Sequence, residues 1–184
     1  MDPTSINPDD YVTDPDDPYL GRLRVFLNAS GGETERGRVL VAASLIEEML
    51  EEILRSFLSS EKRTDDLFAG GNAPLGTFSA KIKLARSLCL ITVEEFQDIE
   101  LVRKIRNQFA HSVLCAFNDP KIRDWSRCLK IGMAVLDALP QGNKSRVDEP
   151  AARFSMVSTS IVTILYNRAH YVREVAVTER TWPG

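Results

Sequence analysis

The chain has 184 residues, of which 43% are hydrophobic and 27% charged, and its formal net charge is −3. That composition fits one soluble domain long enough to bury its own core, and it lacks the strongly basic balance of a duplex-DNA reader. No apolar run approaches the ~20 residues that a bilayer-spanning helix needs, and no basic-then-apolar leader opens the chain, so a cytoplasmic protein is expected.

The average charge hides an asymmetry. Residues 1–17 hold six Asp (Asp2, Asp9, Asp10, Asp14, Asp16 and Asp17) and no Lys or Arg, so the remainder carries 23 basic against 20 acidic residues. Rich in Pro and Asp and poor in bulky apolar groups, this stretch reads as a disordered acidic tail. It serves either as a solubilising leader or as a segment that folds over a basic surface and competes with an anionic ligand.

Asp17-Pro18 opens a first helix through Tyr19, Leu20, Leu23, Phe26 and Leu27, ended by Gly31-Gly32. A second, long helix is predicted from about Thr34 to Ser59, with Val39, Ala42, Ala43, Ile46, Met49, Leu50, Ile53, Leu54 and Phe57 inward. Glu47, Glu48, Glu51 and Glu52 take its other side and read as a solvated face, with metal binding the sharper alternative. Residues 60–77 read as irregular, with a short turn at Asp65 to Phe68, and Gly70, Gly71, Pro74 and Gly76 make a rigid connector without the spacing of a phosphate loop. Thr77 caps a helix with Phe78, Ile82, Ala85, Leu88 and Cys89 inward and Lys81 and Arg86 pointing away.

The middle of the chain, Glu94 to Cys115 (EEFQDIELVRKIRNQFAHSVLC), reads as one long helix opened by a Thr92-x-x-Glu95 capping box. Leu101, Val102, Ile105, Phe109 and Val113 recur at three- and four-residue steps as a core stripe. Glu100, Lys104, Asn107 and His111 follow the same spacing on the other side, flanked by Arg103 and Arg106. Asp119-Pro120 starts a further helix with Ile122, Trp125, Leu129, Met133, Leu136 and Leu139 buried, and Arg123, Arg127 and Lys130 form a basic stripe. That stripe is either a solvated face or, with Arg103 and Lys104, a surface that binds an anionic partner.

Residues 140–150 read as a polar linker, and a last helix from about Ala151 into the 170s buries Phe154, Val157, Ile161, Ile164, Leu165, Ala169 and Val172. His170 sits beside this stripe, where packing or exposure is the expected role. Cys89, Cys115 and Cys128 read as buried thiols, and with no CxxC pair or His cluster neither a metal nor another cofactor is expected. The fold class is therefore all-α: a single bundle of six or seven helices over residues 18–177, with a frayed tail at 178–184.

Three stretches taken in order, Gly37 to Leu58, Asn72 to Ile91 and Glu94 to His111, resemble the mannitol operon repressor family across roughly residues 20–175. The resemblance implies a helical regulator of bacterial sugar-alcohol uptake genes that lacks a DNA-reading module and works through a protein partner, such as a DNA-binding regulator. The acidic tail and the Arg106-Asn107 pair are where this chain is expected to depart from the better-known members.

A second resemblance rests on Arg106-Asn107-Gln108-Phe109-Ala110-His111, which is similar to the Arg-Asn-x-x-x-His signature of HEPN domains, helical bundles found in RNA-cleaving toxins. It implies catalysis by His111, Arg106 and Asn107 on RNA without metal. A histidine near its ordinary pKa of ~6.5 can move a proton at neutral pH, and a guanidinium grips phosphate with two donors. One His cannot easily serve as both acid and base, so a two-fold homodimer is expected to bring two copies to one groove. The structural alternative places Arg106 against a carboxylate of the second helix, with Asn107 and His111 bonding across a helix interface.

Overall fold

The structure, a computed structural model, describes residues 34–58, 62–133 and 149–175. The acidic tail, the first expected helix, Leu136, Leu139 and the C-terminal tail lie outside the described residues, as does the side chain of His170.

Every regular element among the described residues is helical: α1 (Glu35–Phe57), α2 (Lys62–Phe68), α3 (Phe78–Ser87), α4 (Val93–His111), α5 (Pro120–Arg127) and α6 (Pro150–Val172), which runs into a 3-10 turn at Arg173–Val175. The protein is an all-α bundle. Caps fix where its helices begin. The Thr34 hydroxyl accepts from Gly37 N–H at 3.1 Å, and that of Thr77 accepts from Ala80 N–H at 3.2 Å. Thr92 and Glu95 exchange both bonds of the expected capping box, at 3.1 and 2.8 Å.

α1 and α6 form the most extensive contact, and α4 packs next along α1. Their stripes meet in one core: Val39, Ile46, Leu50, Ile53 and Leu54 of α1 lie against Ile99, Val102, Ile105 and Phe109 of α4 and Phe154, Val157, Ile161 and Leu165 of α6. At one end the rings of Phe109, Phe117 and Phe154 pack in sequence at tilted angles, with centroids 5.2 and 5.4 Å apart. Phe117 thereby anchors the segment that leaves α4.

Several expectations need correction. α4 ends at His111, four residues early, so Val113 is not core but 87% exposed. α5 stops at Arg127, because the chain turns at Lys130–Met133 through Gly132 at φ +76°. The Asp119 carboxylate does not cap α5 and instead accepts from Ala116 N–H at 3.2 Å in the preceding turn. Lys81 points inward, and Glu47 and Glu51 are tied to it rather than merely solvated. Of the three thiols, all unpaired, Cys89 and Cys128 are exposed. Each follows the last turn of a helix, and Cys89 adopts a left-handed φ of 57° that turns it away from the core.

Candidate functional site

The last two turns of α4 carry Arg106, Asn107 and His111. Arg106 Nη1 donates to Asn107 Oδ1 at 3.1 Å, and both side chains are half-buried. Asn107 therefore orients the guanidinium, one helical turn from an exposed His111. No carboxylate of α1 takes Arg106, contrary to the pairing set out as the structural alternative. The N-terminus of α1 fastens the exit from the helix instead: Arg36 donates to the Ser112 carbonyl, and Glu35 accepts from Phe117 N–H at 3.0 Å. Beside this fixed end, Val113 and Leu114 are 87% and 91% exposed. The arrangement offers a held cation, a reachable imidazole and an uncovered apolar pair within one segment.

The five basic candidates do not form a single stripe. Lys104, Arg127 and Lys130 line one groove between α4 and the end of α5, over Phe96 and Leu101. Arg103 is clamped by both oxygens of Glu100, at 2.8 and 3.1 Å, and that contact raises its already high pKa. Arg123 does not line the groove; its Nε is buried without a hydrogen-bond partner and lies 4.0 Å from Asp124.

Three polar knots that periodicity does not reveal hold these elements in place. Asp98 of α4 is 2% exposed, and its Oδ2 accepts from Lys130 and Ile131 N–H at 2.8 and 2.7 Å. Burial raises the Asp98 pKa, and the two backbone bonds offset only part of that rise. Arg153 of α6 grips the Leu129 carbonyl with Nε and Nη2 at 3.0 and 2.9 Å, so the turn carrying Lys130 is held from both sides. Glu95 accepts from Arg168 Nη2 at 2.8 Å while it also caps α4, joining α4 to α6. The only hint of these contacts in the sequence is an acidic residue on the inward side of a helix, visible at Asp98 one position before Ile99. Among the described residues no group of three or more His, Cys, Asp and Glu could hold a metal ion, and no described helix is long and apolar enough to cross a membrane.

No protein-family model matches the chain, and no curated protein matches it. The fold is similar to that of a chain in the X-ray structure of the MtlR–HPr complex from Escherichia coli, with 22% identity and a TM-score of 0.56 over 84% of this chain and 99% of that one. At that identity the likeness speaks for the fold: the bundle is MtlR-like.

Proposed function

We propose that this chain is a non-enzymatic regulatory protein of the mannitol operon repressor type, a cytoplasmic homodimer that acts on transcription through a protein partner. The observation that carries the reading is the likeness in fold to nearly the whole of a chain solved within a complex of two proteins. Charge supports it, because a body with 23 basic against 20 acidic residues beyond the leader does not offer the broad positive field that grips DNA. HPr of the source organism is the first partner to titrate against the purified protein, and a DNA-binding regulator is the second. A saturable one-to-one complex per protomer with either is expected. Sequence-specific binding of operator DNA by this chain alone contradicts the reading.

A second reading, a metal-independent endoribonuclease, is favoured by the hydrogen bond that orients Arg106 one turn from His111. In that reading Arg106 grips the scissile phosphate and Asn107 holds Arg106. His111 moves the proton, with the complementary acid or base supplied by His111 of a second copy. Cleavage of RNA in EDTA, abolished in His111→Ala, is its expected signature. Clean wild-type protein that leaves varied RNAs intact retires it.

A further inference from the structure

The groove between α4 and α5 is built from two unlike halves. Its rim carries Lys104, Arg127 and Lys130, all exposed and none in a salt bridge among the described residues. Its floor offers the half-buried side chains of Phe96 and Leu101. The two carboxylates in its walls are already engaged, Asp98 with the backbone of the following turn and Glu100 with Arg103. Among the described residues the groove therefore presents an excess of positive charge above an apolar surface, three rim cations against Asp98, which acts on Lys130 through space. At about 690 Å³ it admits a few side chains rather than a folded domain. Asp98 and Arg153 fix the turn that carries Lys130, so part of the rim is set in place before any ligand arrives.

We propose that this groove binds an acidic peptide segment of the partner protein, one in which bulky apolar residues are flanked by carboxylates. The proposal rests on the reading of the chain as a protein-binding regulator. A nucleic-acid strand fits less well: its affinity comes from a run of phosphates on a broad basic field, whereas here three cations ring one short groove and a strand would leave the apolar floor unused. A peptide with carboxylates at both ends and a large apolar centre satisfies rim and floor together. The cations steer the encounter and set the register, and the floor supplies the desolvated contact.

The test uses the full chain, labelled with nitrogen-15, and an acetylated hexapeptide with a Leu-Phe pair between glutamates. Titration is expected to shift the backbone amides of Phe96, Leu101, Lys104 and Arg127 saturably, and binding is expected to weaken as salt rises. The combined variant Lys104→Ala, Arg127→Ala, Lys130→Ala changes only exposed side chains, and an unchanged melting temperature verifies its fold. It is expected to bind the peptide about tenfold more weakly, the product of three modest rim contributions. The proposal is overturned if the peptide does not bind, if a glutamine version binds equally well, or if a short single-stranded RNA occupies the same amides more tightly. The partner titration separates this failure from failure of the regulator reading. Partner binding unaffected by the triple variant sinks the groove alone, whereas wild-type protein that binds no partner sinks the regulator reading even where the peptide binds.

Discussion

Lys81 shows how a single side chain reverses an amphipathic reading. Its charge marks it as outward in the sequence, yet it sits three residues after Phe78 and four before Ala85, on the flank of the inward stripe, and only 6% of its surface is exposed. Its ammonium sits 3.2 Å from Glu47 and 2.8 Å from Glu51, so α3 is clamped to α1 by charge as well as by packing. Burial alone would lower the Lys81 pKa and raise that of Glu51, but the mutual hydrogen bonds, with Arg55 also on Glu51, outweigh it. Lys81 therefore ends above its ordinary 10.5 and Glu51 below its ordinary 4.5. A raised lysine contributes stability that is lost as pH rises through its folded pKa. A depressed carboxyl contributes stability that is lost as pH falls through its own. Lys81→Met should cost about 2 kcal/mol at neutral pH, since it leaves two carboxylates part-buried and unpaired. Chemical denaturation across pH should show the loss shrinking below pH 4.5 and above 10.5. A deficit that stays constant at every pH would remove the ion pairs from the account.

At the scale of the element, the existence of the long described helices was legible in the sequence, the short α2 falls where the sequence reads as irregular chain, and helix ends were legible only where a cap marked them. Thr34, Thr77 and the Thr92–Glu95 box each start a helix where the side chain says it should. The exits of α4 and α5 were not readable, because tertiary bonds set them. Arg36, Glu35 and Phe117 take up the chain after His111, and Asp98 and Arg153 take up the chain after Arg127. Apolar periodicity runs on through Val113 and Met133 and carries no mark of either exit. The site shares this limit: spacing singled out Arg106, Asn107 and His111 and grouped Lys104 with Arg127 and Lys130, but it also included Arg103 and Arg123, which other contacts keep out of the groove. The turn after Arg127 gives a prediction. Asp98→Ala strips the acceptor from Lys130 and Ile131 N–H and should cost about 2–3 kcal/mol. Asp98→Asn keeps an acceptor and should cost less than about 1 kcal/mol at neutral pH, where the buried carboxylate is least favourable. Because the folded pKa of Asp98 is raised, its contribution is present below the ordinary value of 3.8 and is lost as pH rises through the folded one. Melting curves that show the same loss for both variants, which share only the loss of charge, would show that charge, not hydrogen bonding, holds the turn.

Across the whole molecule, the core runs along α1, α4 and α6, while two bulky aliphatic side chains stand outside it at one end. Val113 and Leu114 are almost fully exposed, yet their backbone is pinned between Arg36 and Phe117, so they are held outward on a fixed segment. Scattered exposed aliphatics are ordinary, but a neighbouring pair on a rigid segment suits a contact with a second copy. In the proposed homodimer a two-fold axis near this end would cover both residues and bring the two His111 imidazoles into one shared groove, which the ribonuclease reading needs and the regulator reading tolerates. Val113→Asp with Leu114→Asp places like charges on both sides of such a seam and should shift sedimentation from dimer to monomer. The melting temperature of the isolated chain should change little, because neither side chain packs in the core. A protein that sediments identically with and without the two aspartates, whether as monomer or as dimer, would rule out this end as the assembly surface. With it would go the composite imidazole site, and catalysis by His111 would then have to work within a single chain.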